Sequence, residues 1–282
     1  MTVDSSSMTA PKSQADLIYE MHLRTRRRFS IGVAISWFVM LALLIFLFSG
    51  VKINLGGFSF KVIHLDRAFI WDNIPFIASG VWVTIGISAL SILFATILAL
   101  LAALGRLSKF PPLYALCTFY VSLIRGTPLL LQIFFWFLAL PQLGINLPGF
   151  WAGVIALGLN YGAYMSEIFR AGLSSVGKGQ REAALAIGMT PGQTMTRIVI
   201  PQALRFAIPP TGNEFIAMLK DSALVSATGF VHELLWRATK VGRAQFHNLE
   251  GLITAAAFYW VMTLVFSYFQ GRLEGRMSRG ER

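Results

Sequence analysis

Residues 182–201 read EAALAIGMTPGQTMTRIVIP and lie between two apolar runs of the chain. The first part favours a helix because it contains three alanines, and Gly188 stands where such a helix would end. Thr190 is a good N-cap, Pro191 suits a first helical position, and Gln193 completes a capping box. The stretch therefore predicts a helix, a tight turn and a second helix, with Pro201 marking the start of the next apolar run.

The composition of the whole chain indicates a membrane protein. Of 282 residues, 55% are hydrophobic and only 13% are charged, whereas a soluble domain carries about 25% charged residues. The net charge of +11 is spread between apolar runs and not gathered on one polar face, so it does not indicate a nucleic-acid partner. The single Cys117 excludes an intramolecular disulfide, and the four histidines lack ligand spacing, so no metal or cofactor is expected.

Apolar runs of spanning length predict an all-α integral membrane protein with about six transmembrane helices. The predicted divisions are a basic N-terminal tail (1–29), an extra first helix (30–49), an extracytosolic segment (50–73), a transport core (74–272) with a cytosolic loop (173–201), and a C-terminal tail (273–282). A cleaved signal peptide is the alternative for the first run, but that run is too long and no small-residue cleavage site follows it. The runs lie at 31–48, 74–104, 113–140, 151–169, 202–219 and 252–269.

Two of these runs contain helix-breaking residues. Thr127 before Pro128 predicts an N-cap and first helical position, which would place Arg125 at the cytosolic membrane edge. Pro209, Pro210 and Gly212 predict a broken fifth helix, and interrupted helices at membrane depth line cavities or pack against protein.

The distribution of positive charge orients the chain. With a cytosolic N-terminus, segments on the cytosolic side hold 15 of the 24 Lys and Arg residues, and segments outside hold 6. This bias favours six helices with both termini in the cytosol, and it places residues 182–201 inside the cell.

Residues 172–178 nearly match a phosphate-binding loop, but Gly179 stands where Ser or Thr would bind magnesium. The preceding element is a predicted membrane helix, whereas a phosphate-binding loop follows a buried strand. We therefore expect no ATPase activity in this chain, and no other catalytic arrangement is apparent in it.

The spacing of residues 182–201 resembles the conserved cytosolic loop of permease subunits in binding-protein-dependent ABC importers. Further stretches resemble the polar amino-acid branch: 125–130, 167–172, 178–180, 209–216 and 219–222. The resemblance covers about residues 74–272, and the first helix falls outside it. One departure is Ile200, where the family usually has Leu.

This resemblance implies a five-helix type I importer core in the bacterial inner membrane. In the family the loop is a coupling helix that inserts into a separate cytosolic ATPase subunit. An extracytosolic substrate-binding protein and a second permease subunit, identical or a sister, are the other expected partners, with membrane lipid around them. The residues expected to couple to the ATPase are Arg181, Glu182, Ala183, Ala184, Gly188 and Pro201.

Polar residues inside the apolar runs are the candidates for a substrate pathway, because burying them in lipid is costly. An amino acid needs acceptors for its ammonium group and donors for its carboxylate. Hydrogen bonds that merely hold the helices together are the alternative role. Asp221 is expected near the outer membrane edge. The candidates are Asn160, Tyr161, Tyr164, Asn213, Glu214 and Asp221.

Alternatives of other classes remain at this point. The loop helix could lie on the membrane as an ordinary amphipathic segment. A self-sufficient secondary transporter or channel would show inverted repeats or charged relays, and the sequence shows neither. An inert membrane anchor would not explain the proline-rich fifth run. The leading hypothesis is therefore an importer permease for polar amino acids.

Overall fold

Helices make up nearly all of the chain in the computed structural model, which describes residues 14–55 and 58–277. The parts of the two predicted tails at 1–13 and 278–282 lie outside the described residues. The chain divides into a unit of residues 1–65 and a unit of residues 66–282. The helices are α1 Gln14–Leu47, α2 Arg67–Ala78, α3 Gly80–Arg106, α4 Pro111–Arg125, α5 Leu129–Phe134, α6 Gly149–Ser175, α7 Lys178–Ala186, α8 Pro191–Thr194, α9 Ile200–Asp221, α10 Leu234–Ala244 and α11 Asn248–Met277.

The first unit contains α1 and a small β-hairpin. Met21–Leu47 of α1 is long and apolar enough to cross a membrane, and its side chains are exposed within the chain, as those of a lipid-facing helix are. The antiparallel strands β1 (Lys52–Leu55) and β2 (Phe58–Lys61) pair Leu55 with Phe58. The described chain is otherwise helical, as predicted, and this hairpin is a small exception within the segment predicted to be extracytosolic. Two glycines between alternating apolar and polar residues are a hairpin signal that the prediction overlooked.

The second unit begins with a helix that the sequence placed outside the membrane core. Asp66 caps α2 by accepting a hydrogen bond from the Phe69 backbone N–H at 3.1 Å. Helix α2 thus starts inside the segment predicted to be extracytosolic, and α2 and α3 together form one apolar candidate span, Arg67–Arg106.

The count of six spans stays a prediction. Within the described residues, three segments are long and apolar enough to cross a membrane, or four if the bent pair α4–α5 is one span. Helices α6 and α9 have 27 and 22 residues, but they are not among these candidates. Both carry the polar side chains that the sequence assigned to a pathway.

Small residues allow α3 and α6 to pack closely at the centre of the second unit. Ala95, Ala99 and Ala103 of α3 are fully buried in the main apolar cluster. A Cβ atom added at Gly158 of α6 would lie only 2.3 Å from the Phe94 ring. Close approach of backbones through Gly and Ala is the usual basis of helix packing in membranes.

The α4–α5 connection bends sharply where the sequence predicted an interruption. The two halves of this segment meet at 106°. The N-cap of α5 is Pro128 and not Thr127, whose hydroxyl instead donates to the Leu123 carbonyl at 3.0 Å. The predicted cap is therefore wrong by one residue, because Thr127 bonds backwards to the end of α4.

Two predictions about α9 are also wrong. Pro201 does not separate two helices, since α8, a π-helical turn (Met195–Val199) and α9 run on without a break. A proline ring clashes with the carbonyl four residues before it, which for Pro201 is the carbonyl of Arg197. Arg197 lies in the π-helical turn, whose wider spacing gives the ring room. Pro209 and Pro210 lie inside α9 without interrupting it, so the predicted broken helix is not observed.

Candidate functional site

A cavity of about 630 Å³ lies among α4, α5, α6 and α9 of the second unit. It brings together five of the six residues that the sequence singled out for a substrate pathway. These five come from two helices that are far apart in sequence, and residues of the α4–α5 connection complete the wall. The lining residues are Arg125, Gly126, Thr127, Pro128, Leu129, Asn160, Tyr161, Tyr164, Glu214 and Asp221.

Two neighbouring residues of α6 tie the cavity wall to other helices. The Tyr161 hydroxyl donates to the Asp221 carboxylate at 2.8 Å, at the end of α9. The Asn160 amide nitrogen donates to the side-chain oxygen of Gln132 on α5 at 3.2 Å. Asn160 and Tyr161 are only 7% and 5% exposed, so these bonds are held in the interior of the bundle.

The cavity wall carries charges of both signs. Glu214 and Asp221 supply carboxylates, and Arg125 supplies a guanidinium that lies over the Tyr164 ring at 5.1 Å from its centre. Arg125 and Asp221 were expected at opposite membrane edges, and that expectation is wrong, because both line the same cavity. Helix α9 ends at Asp221 inside the bundle, where Tyr161 holds the carboxylate.

Asn213 is the candidate that does not line the cavity. Its side-chain oxygen accepts a hydrogen bond from Gln270 of α11 at 2.9 Å. Successive helical residues point about 100° apart, so Asn213 and Glu214 belong to different faces of α9.

Three arginines surround one glutamate beside the cavity. The predicted pair within α6 is confirmed, because Arg170 lies 2.8 Å from the Glu167 carboxylate. Arg106 at the end of α3 contacts the other oxygen at 2.5 Å, and Arg125 at the end of α4 approaches that oxygen at 3.5 Å. Arginine at the last turn of a helix is also favoured by the helix dipole. Glu167 thus joins the ends of two helices to α6.

Gln132 bonds to a residue of the cavity wall and Arg106 to the glutamate beside it, and neither was among the predicted candidates. Arg125 was predicted only to mark a membrane edge. Gln132 is the one polar side chain in the run 129–140, and a lone polar residue at that depth was a usable signal. The position of Arg106 depends on how α3 packs against α6, which spacing along the chain does not reveal.

The loop of residues 178–201, hereafter the EAA loop, has the predicted helix–turn–helix shape. Gly188 ends the first helix with a φ of +85°, and Thr190 and Gln193 form the predicted capping box. Arg181 folds back and donates to the Leu173 carbonyl at the end of α6. Ala184 is buried, whereas Glu182 and Ala183 are exposed and Ile187 is 80% exposed. Pro201 is also exposed, in the first turn of α9.

The match to a family model decides the class of the protein. Residues 95–279 match the family described as binding-protein-dependent transport system inner membrane component. The chain belongs to this family. Its members are multi-pass membrane permease subunits of ABC importers, which work with a separate ATPase and a substrate-binding protein. This confirms the prediction that the chain is not itself an enzyme.

Individual relatives agree with this assignment. The L-cystine transport system permease protein TcyB of Bacillus subtilis is 42% identical, over 76% of this chain and 94% of the relative. The arginine transport system permease protein ArtQ of the same organism is 37% identical, over 77% of this chain and 100% of the relative. A solved structure of an amino acid ABC transporter with histidines is 39% identical, covers 75% of this chain and 99% of its own, and has a TM-score of 0.71.

Proposed function

We propose that this chain is the permease subunit of an ATP-driven importer for amino acids in the bacterial inner membrane. The observation that carries the proposal is the cavity, which places two carboxylates and one guanidinium within a helix bundle. Ionisable groups at membrane depth are typical of substrate pathways. The proposed layout has six spans, both termini in the cytosol, and the core at residues 74–272.

The chemistry of the cavity suits an amino acid. Glu214 and Asp221 can accept hydrogen bonds from an ammonium group, and the planar guanidinium of Arg125 can bind a carboxylate with two parallel bonds. Asn160 and Tyr164 offer further polar groups in the same wall. The names of the relatives, which specify L-cystine and arginine, support amino acids as the substrate class.

We further propose that the EAA loop couples the permease to its ATPase. Glu182, Ala183 and Gly188 are exposed on the loop, and Ile187 gives an apolar contact for a partner groove. The helix that starts at Pro191 continues through α9 to Asp221, so a displacement of the loop would be carried toward the cavity. A bistable bundle biased by partners is an established type of switch.

The remaining partners follow from the same proposal. Two permease subunits, either two copies of this chain or this chain with a sister, would enclose the pathway within the lipid bilayer. The substrate-binding protein would deliver the amino acid from outside the cell.

The proposal is tested by uptake of labelled L-arginine, L-glutamine and L-cystine into proteoliposomes. These contain the chain with its ATPase and binding protein. Asp221→Asn removes one cavity charge but keeps an acceptor for Tyr161, and uptake should fall about tenfold, as expected for the loss of a charged contact. Asp72→Asn on the exposed face of α2 is the matched control. Equal uptake by the two variants would contradict the cavity assignment. Uptake that needs no ATP would instead favour a self-sufficient secondary transporter.

A further inference from the structure

The sharp bend between α4 and α5, hereafter the elbow (residues 126–128), leaves a backbone carbonyl without its helical partner. In a continuous helix the Ile124 carbonyl would accept from the N–H of residue 128. That residue is Pro128, which has no N–H. The Ile124 carbonyl keeps only long contacts with the Thr127 N–H, at 3.5 Å, and with the Thr127 hydroxyl, at 3.4 Å, so a closer donor would stabilise it.

Gln132 supplies this donor from the first turns of α5. Its amide nitrogen lies 2.8 Å from the Ile124 carbonyl, 3.1 Å from the Thr127 carbonyl and 2.9 Å from the Thr127 hydroxyl. With 5% exposure, the side chain is buried against both sides of the elbow. One side chain therefore bonds to the end of α4 and to the elbow itself.

The other end of the same amide faces the cavity wall. The Gln132 oxygen accepts from Asn160, which lines the cavity. The elbow also carries the cavity's cation, because Arg125 directly precedes Gly126. Continuous hydrogen bonds thus lead from the cavity, through Gln132, to the backbone that positions Arg125.

We propose that Gln132 is a positioning residue that couples occupation of the cavity to the angle of the elbow, and so to the placement of Arg125. This inference rests on the proposed function of the cavity. A solute that binds the Asn160 carboxamide changes the orientation or strength of its bond to Gln132. Because the Gln132 amide is shared, the change alters the bonds that hold Ile124 and Thr127. A ligand shifts an equilibrium between two elbow angles only if its affinity differs between them. The shared Gln132 amide provides that difference, because the bond that a solute alters also belongs to the elbow.

The first test measures the elbow without any solute. Spin labels are placed at Leu116 and Leu138, which are exposed on the two sides of the elbow, in a Cys117→Ala background. The labelled chain is diluted with unlabelled chain in the assembled transporter, so that only distances within one subunit contribute. Asn160→Ala should shift or broaden the distance distribution although residue 160 lies on another helix.

Gln132→Glu keeps the acceptor for Asn160 but places an oxygen against the Ile124 and Thr127 carbonyls, neither of which can donate, so it should shift the distance distribution more. The shift in the Asn160→Ala/Gln132→Glu double variant should not exceed the shift in Gln132→Glu alone, because both substitutions act through one amide. Gln142→Glu, at an exposed position beyond α5, is the matched control and should match the wild type. An Asn160→Ala distribution identical to the wild type, or a strictly additive double variant, would overturn the inference.

The second test separates positioning from a merely structural role. ATP hydrolysis by the assembled transporter is measured with and without binding protein loaded with L-arginine, L-glutamine or L-cystine. Gln132→Glu should lower the stimulated-to-basal ratio of ATP hydrolysis by about fivefold or more relative to Gln142→Glu, as expected for a loss of coupling. A proportional fall of both rates would show a folding defect and reject positioning. If the wild type transports none of these amino acids, the proposed function fails, while the distance measurement still decides whether Gln132 links Asn160 to the elbow.

Discussion

Replacing Gly188 by alanine tests the geometry of the EAA loop with little interference from packing. Gly188 has a φ of +85°, in the left-handed region that L-residues with a Cβ avoid. A Cβ at this position meets no atom within 4 Å, so the whole effect of the substitution is conformational. The left-handed conformation costs an L-residue about 1–2 kcal/mol, which corresponds to a roughly 5- to 30-fold loss of the turn relative to competing conformations.

The measurement combines hydrogen exchange of α7 and α8 with the coupling of ATP hydrolysis to uptake. Gly188→Ala should speed hydrogen exchange of the backbone amides in both helices by that 5- to 30-fold factor. It should also lower the uptake per ATP hydrolysed, while the amount of chain in the membrane stays unchanged. Gly188→Asn should recover part of the loss, because Asn tolerates the left-handed region. Gly192→Ala is the matched control, since it also has open space but no positive φ. If Gly188→Ala and Gly192→Ala behave alike, the left-handed turn is not what shapes the loop.

Three further predictions concern other parts of the chain. Glu167→Gln replaces the carboxylate shared by three arginines with a neutral amide. Because each of these partly exposed ion pairs contributes up to about 1 kcal/mol, the free energy of unfolding should fall by about 1–2 kcal/mol, seen as a lower thermal midpoint. An unchanged midpoint would show that the cluster contributes nothing. Gly158→Ala forces a Cβ against Phe94 and should destabilise the bundle by about 1–3 kcal/mol, whereas Gly86→Ala, with open space, should not. Burial raises the pKa of Glu233 at the start of α10, although hydrogen bonds from Leu235 and Trp236 oppose the rise. A carboxyl group whose pKa is raised in the folded state stabilises the fold most at low pH, and this contribution is lost as the pH rises through that pKa. The thermal midpoint of the wild type should therefore fall relative to that of Glu233→Gln on going from acid to neutral pH. A constant difference between the two midpoints would refute this.

Local chemistry made parts of this fold predictable. The cap at Thr190 and the turn at Gly188 depend on neighbouring residues alone, and both lie where the sequence placed them. The continuity of α9 through Pro209 and Pro210 was not predictable in this way, because two adjacent prolines disfavour a helix locally and only the tertiary structure shows that α9 continues. Gln270 of α11 donates to the Pro209 carbonyl at 3.2 Å, a contact that no pattern along the chain reveals.

The candidate site was predictable as a set of residues but not as a geometry. Polar groups at membrane depth identified Asn160, Tyr161 and Glu214, which do line one cavity. Arg125 and Asp221 were expected at opposite membrane edges because hydropathy treats each apolar run as a complete crossing, whereas the two residues line one cavity. Arg106 and Gln132 join the site only through helix packing and through a proline that lacks an N–H.

ATP-dependent uptake is the measurement that tests the proposed function most directly. The chain, its ATPase and its binding protein are reconstituted in liposomes, and accumulation of labelled L-arginine, L-glutamine and L-cystine is followed with ATP or a non-hydrolysable analogue on the ATPase side. We expect accumulation against a gradient of at least one of these amino acids with ATP, none with the analogue, and loss of it in a Glu182 variant that cannot engage the ATPase. Equal accumulation with ATP and with the analogue would contradict an importer driven through the EAA loop.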